Sequence, residues 1–277
     1  MMEPKLIDAH THVQFAAFEE DADFVIKRAL DAGVWMANVG TQQDTSESAI
    51  KLAEKYPEGV YATVGLHPIH TDKSFHDEQE LGGDNGFTSR GEEFDYELYK
   101  KLAKHSKVVA IGECGFDYYR LQTDSKKKQE AAFIKQIELS LDVKKPLMIH
   151  CRQGFGDLIR VLGMYFNQGN SGKPGIIHFF SGNLKEAATL LDMGFSFTFG
   201  GVITFSRDYD EIIKLIPRER ILLETDAPYV TPAPYRGKRN EPLYVVEVAK
   251  KLAGLKDASL EEISEQTVKN TREILGI

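Results

Sequence analysis

Two cysteines in 277 residues, Cys114 and Cys151, are too few for the disulfide framework of a secreted scaffold, and they point to a reducing, cytoplasmic setting. Long apolar runs are missing too. None approaches the ~20 residues that cross a bilayer, so no helical membrane span is expected. The opening Met-Met-Glu-Pro-Lys lacks a basic stretch leading into an apolar one, so a secretory leader is not expected either. Positive charge is in deficit: 34 Lys and Arg face 42 Asp and Glu, a formal charge of −8. That balance excludes a surface that grips nucleic acid by general electrostatics, and leaves room only for a local basic or metal-bearing pocket. Internal repeats and low-complexity tracts are absent. With 42% hydrophobic and 27% charged residues, the chain has the balance of one that buries a large core.

What is there is a rhythm. Short apolar, β-branched-rich runs recur at 5–9, 34–40, 60–66, 107–112, 146–151, 175–180, 195–200 and 220–225. Between them, 21–32, 46–56, 95–105, 125–143, 155–166, 184–193 and 208–215 carry apolar residues at helical spacing, and 242–253 and 259–275 close the chain. Continuous apolar strands alternating with helices imply a parallel sheet covered on its outside. Eight such units predict an α/β fold of the (β/α)8 TIM-barrel kind over 1–277, with a doubly wound open sheet as the alternative. Residues 71–93 break the rhythm: polar, acidic and glycine-rich, they read as a loop insertion after the third strand.

The chemistry-bearing residues fall at the strand ends. His10 and His12 sit two apart, so on one face of a strand. Glu113, His150, His178 and Asp226 close four other apolar runs. These are the C-terminal ends, where barrel enzymes build their sites. A single polar residue there is most often a satisfied structural one; six at five strand ends should meet in space. Buried together without counter-charge they are costly, and divalent cations offset that cost. Four nitrogens and two carboxylates suit two adjacent ions with one carboxylate bridging, favouring Zn, Mn, Fe or Co, with Mg open if phosphate and water complete its shell.

The ordered set Asp-Ala-His-Thr-His (8–12), Val-Gly-Leu-His-Pro (64–68), Ile-Gly-Glu-Cys-Gly-Phe-Asp-Tyr (111–118), Ile-His-Cys-Arg (149–152), His-Phe-Phe-Ser-Gly (178–182), Leu-Glu-Thr-Asp-Ala-Pro-Tyr (223–229) and Arg-Gly-Lys-Arg-Asn-Glu-Pro (236–242) resembles the TatD family of metal-dependent hydrolases. The resemblance implies an amidohydrolase-like barrel, two divalent ions (Mg, Mn or Zn) and deoxyribonuclease activity from the 3′ end, with single-stranded DNA or 3′ ends as the partner. By the same resemblance His10, His12, Glu113 and Asp226 hold one ion, and Glu113, His150 and His178 the other. Two departures stand out. Phe116 replaces the family's more usual leucine, and the 71–93 segment is longer than usual.

Around this set, the resemblance puts His67 on the substrate side. Arg152, Arg236 and Arg239 are candidate phosphate contacts, Lys238 reads as solvated, and Asn240 and Glu241 as braces of their loop. Glu224, two residues before Asp226, is placed behind the ligands, holding one of them. Asp226 is the expected general base and Glu113 the shared ligand. The same centre on another substrate would cleave an amide, an aminoacyl ester or a lactone, and a barrel that only binds metal is the reading from a different class.

Overall fold

In the computed structural model, which describes residues 3–73, 91–119, 125–166 and 174–277 together with the backbone of 75–76 and 87–88, eight parallel strands pair in chain order. They are β1 (Leu6–Thr11), β2 (Val34–Val39), β3 (Val60–Val64), β4 (Val108–Asp117), β5 (Leu147–Arg152), β6 (Gly175–Ile177), β7 (Ser196–Phe199) and β8 (Ile221–Leu223). The seam between β8 and β1 decides between barrel and open sheet. There Asp226 N–H donates to the His10 carbonyl at 2.9 Å and His12 N–H to the Ala227 carbonyl at 2.8 Å. The buried Asp8 carboxylate adds to this by accepting from Thr225 N–H (2.9 Å) and Oγ1–H (2.5 Å). The last strand thus meets the first, and the fold is a (β/α)8 TIM barrel.

Strands covered on both sides bury residues of both parities. One large cluster packs strands against helices, while Ala9, Ala37, Ala110, Met148, Ile176 and Leu222 join Ile274 and Leu275 of the last helix in a second. The covering helices are α1 (Ala22–Asp31), α2 (Gln43–Glu54), α3 (Tyr96–Ala103), α4 (Ser125–Val143), α5 (Phe155–Tyr165), α6 (Leu184–Asp192), α7 (Asp210–Leu215), α8 (Val245–Leu255) and α9 (Leu260–Leu275). Helix α2 starts three residues before the expected position, because Gln42 and Thr45 form a reciprocal cap there. The expected helix from 242 is a 3-10 turn, Pro242–Tyr244, running into α8.

The main departure is β4. The expected run closes at 112 with Glu113 at its end, yet the strand continues to Asp117, so Glu113 lies within it. Gly112 and Gly115 have φ of 148° and 131°, and a Cβ on either would lie 2.2 Å from the Met148 carbonyl oxygen or 2.1 Å from that of His150. Here glycine lets β4 press against β5 instead of breaking it. The pairing register shifts between Ile111 and Cys114, at the point where Glu113 turns into the barrel mouth. The expected 71–93 insertion lies mostly outside the described residues; within it, Phe75–His76 pairs antiparallel with Phe87–Thr88. No helix among the described residues is long and apolar enough to cross a membrane.

Candidate metal centre

Glu113 stands in the middle of a ring of imidazoles. Its Oε2 lies 3.4 Å from His10 Nε2 and 3.9 Å from His12 Nε2, while its Oε1 lies 2.9 Å from His150 Nδ1, 3.6 Å from His178 Nε2 and 3.3 Å from His67 Nε2. Asp226 Oδ1 completes the His10/His12 side, 3.7 and 3.3 Å from their Nε2 atoms. The six expected ligands therefore converge, from β1, β4, β5 and the ends of β6 and β8. Three subsets, His10/His178/Asp226, His10/His12/Glu113 and His67/Glu113/His150, each place their ligand atoms within 4.8 Å of one another.

The ring tautomers suit cation binding. His12 Nδ1 donates to the Val39 carbonyl at 2.7 Å, and His178 Nδ1 to Glu224 Oε2 at 2.8 Å. Each Nε2 then presents a lone pair to the cluster, where His10 Nε2 and His12 Nε2 face each other at 3.1 Å. Opposed ring nitrogens ringed by buried carboxylates fit divalent ions. His150 repeats the device, with Nε2 bonded to Asp117 Oδ2 at 3.1 Å and Nδ1 turned to Glu113. Asp117 escaped sequence reasoning. Its signal was its even spacing from Glu113 on an apolar strand.

His67 differs from the others. Its Nδ1 accepts from Ile69 N–H at 3.2 Å, so its proton sits on Nε2, which points at Glu113 as a donor. Burial pushes its pKa down to about 4, keeping the ring neutral.

The buried groups of the cluster shift one another's titration. Burial pulls Glu113 and Asp226 up, but the surrounding histidines outweigh it and hold both carboxyls below their ordinary range. Burial pushes His178 and His150 down, yet Glu224 and Glu113 beside the first, and Asp117 and Glu113 beside the second, raise them to about 10 and about 9. His12 is raised as well, by Asp226 against burial, while burial and His178 lower His10.

The arginines divide. Arg239 bonds Asp21 through both terminal nitrogens (2.9 and 2.7 Å) and the Ala17 carbonyl at 2.6 Å, with its guanidinium over Phe18, so it ties its loop to the β1–α1 connection. Arg152 and Arg236 are exposed, with Arg236 donating to the Thr231 carbonyl at 3.0 Å. Asn240 braces the loop from inside, donating to the Thr225 and Tyr229 carbonyls at 2.9 and 2.7 Å, and Glu241 bonds Arg28.

The sequence model of the family described as TatD related DNase matches residues 7–276. The chain belongs to the TatD family of metal-dependent hydrolases. An uncharacterized metal-dependent hydrolase of Bacillus subtilis, YabD, is 35% identical over 98% of this chain and 99% of its own length. A Pantoea ananatis protein named 3′-5′ ssDNA/RNA exonuclease TatD is 32% identical over 98% of this chain and 100% of its own. Among solved structures, the Escherichia coli K12 TatD homolog YJJV superposes with a TM-score of 0.84 at 26% identity, covering 100% of both chains. This TatD-family chain is thus a hydrolase whose His/Glu clusters can hold metal.

Proposed function

We propose that this chain removes nucleotides from the 3′ ends of single-stranded DNA, as a phosphodiesterase with two divalent ions that share Glu113. One observation carries the reading: the two Glu113 oxygens face two different groups of histidines, His10 and His12 on one side, His150 and His178 on the other. The substrate class is supported by the name of the Pantoea ananatis relative. His10, His12, Glu113 and Asp226 would hold one ion, and Glu113, His150 and His178 the other. When bound, such a pair polarises a phosphoryl oxygen and acidifies an attacking water.

The chain's own groups do the rest. Asp226, its carboxyl held below the ordinary range by the histidines against burial and so ionised, would accept the proton of the attacking water on the oxygen that does not hold the ion. His67, neutral and carrying its proton on Nε2, donates to a non-bridging phosphate oxygen beside Glu113. Arg152 and Arg236, exposed at the mouth, take the flanking phosphates through charge-assisted hydrogen bonds. With a net charge of −8, the remaining surface repels the strand and leaves the mouth as the place where it settles.

The test is a substrate panel on metal-loaded protein: single-stranded DNA labelled at the 5′ or 3′ end, duplex DNA, RNA, an aminoacyl ester and a lactone. Expected are a descending ladder from the 5′-labelled strand, immediate release of mononucleotide from the 3′-labelled one, two metal ions per chain and no turnover after chelation. Turnover of the ester or lactone with every strand left intact overturns the reading.

A further inference from the structure

Three aromatic side chains among the described residues stand well exposed: Phe24 at 72%, Tyr119 at 47% and Phe205 at 47%. Phe24 belongs to helix α1 on the outer wall. The other two stand on loops that leave the C-terminal ends of strands, and each has an arginine laid over its ring. Arg152 Cζ lies 3.5 Å from the Tyr119 centroid, and Arg236 Cζ 4.1 Å from that of Phe205.

One pair is bonded to the cluster, and the other stands on the loops that follow β7 and Asp226. Tyr119 N–H donates to Asp117 Oδ1 at 2.9 Å, and the other oxygen of that carboxylate holds His150. Arg152 lies two residues beyond His150 on β5, hence on the same face. Phe205 closes the turn Gly201–Thr204 after β7, and Thr204 Oγ1 accepts the Ala233 N–H at 2.9 Å, in the loop that runs from Asp226 to Arg236. One pair therefore flanks the His150 side of the mouth and the other the Asp226 side.

A ring left half in water forgoes burial, and here that occurs twice on one rim with the same partner type. Guanidinium stacking fixes each ring and leaves the N–H edge of the arginine for a phosphate, while nucleobases present flat π faces whatever their sequence. We propose that Tyr119–Arg152 and Phe205–Arg236 are two base-stacking platforms, which seat the nucleotides on either side of the scissile phosphate of a single strand. This rests on the single-strand reading above and adds its means of recognition. Only an unpaired strand can offer its bases this way, because duplex bases are already stacked on one another.

The test uses metal-loaded full-length protein and a thymidine strand in two forms, one with ordinary terminal nucleotides and one with abasic residues in their place. Tyr119→Leu and Phe205→Leu should each cut the preference for the base-bearing strand, read as the ratio of kcat/KM values, by roughly 5- to 150-fold, the span of a stacking contact of ~1–3 kcal/mol. The loss should fall on KM, and Tyr119→Trp should recover the preference. A 2-aminopurine placed next to a non-hydrolysable phosphorothioate linkage should be quenched by the wild-type protein and not by the leucine variants. If the wild type degrades the strand and both ratio and quenching survive the leucine substitutions, the platforms are refuted and the nuclease reading stands. If the wild type neither cleaves nor binds any strand, both fall.

Discussion

Glu224 grips His178 from behind: its Oε2 lies 2.8 Å from Nδ1, while its Oε1 accepts the Phe179 N–H at 2.9 Å. The second bond fixes the carboxylate, and the fixed carboxylate sets the tautomer that turns the His178 Nε2 lone pair toward Glu113. Partners of this kind are worth 10–100-fold in metal affinity. Glu224→Gln keeps the volume of a fully buried side chain, and should raise the metal concentration for half-maximal hydrolysis by roughly that factor. Metal titration of activity, with metal content after dialysis, checks it; unchanged values would show that the imidazole is held by packing alone.

The metal-free protein should lose stability as pH rises above neutrality. His150 and His178 titrate at about 9 and about 10 in the folded chain because neighbouring carboxylates outweigh burial, against an ordinary value of 6.5. A raised folded pKa contributes stability that is complete below 6.5 and disappears as pH climbs through 9 and 10. Asp117 works at the other end. Burial raises it, but His150 outweighs burial and holds it at about 2, so its contribution is present above 3.8 and lost as pH falls through 2. Melting of chelated protein should therefore give a falling Tm from pH 7 to 10, while below 6.5 the burial that holds His67 down to about 4 lowers the Tm as pH falls to 4. Metal competes with protons for the same nitrogens, so the Tm gained on adding metal should widen over that range. A flat metal-free curve from pH 6 to 10 contradicts the assignment.

The barrel was legible because its signal is redundant. Strands buried on both faces must be apolar throughout, and the helices between them repeat their own period. The convergence of the six candidate residues was legible for a related reason: ionisable residues at the ends of apolar runs are costly unless they meet something. What escaped reading depends on contacts between strands. In the sequence the fourth run closes at 107–112, and only the closeness of β5 reveals Gly112 and Gly115 as the reason β4 can continue to Asp117. His67 showed itself as a lone histidine before proline. Its donor tautomer follows from the turn that Ile69 makes over it, which spacing does not encode. Likewise Arg152 and Arg239 are alike as letters, and only the position of Asp21 separates them.

That separation is measurable. Arg239→Ala should cost roughly 1 kcal/mol of stability, because its partly exposed bidentate pair with Asp21 ties two loops together. Arg152→Ala should leave denaturant midpoints in place and raise KM for the strand. Urea unfolding and steady-state kinetics on the two variants decide it. The reverse pattern, stability lost with Arg152 and KM raised through Arg239 alone, would exchange their roles.

Asp226 sits at φ 55°, in the left-handed region, with its N–H on the His10 carbonyl and its carboxylate 3.3 Å from His12. A non-glycine residue enters that region at a cost of order 1–3 kcal/mol, which the surrounding seam must offset. Asparagine tolerates the region better than most side chains and matches aspartate in shape, but it cannot take a proton. Asp226→Asn therefore separates the two things the residue does. The backbone seam to β1 should persist, with unfolding free energy within about 1 kcal/mol of wild type, the usual scale of a point substitution. Hydrolysis at saturating metal should fall by about 10²–10⁴-fold in kcat, the range of a lost general base. If stability and activity fell together, Asp226 would be acting first as a brace of the barrel seam, and the base would have to be sought elsewhere in the cluster.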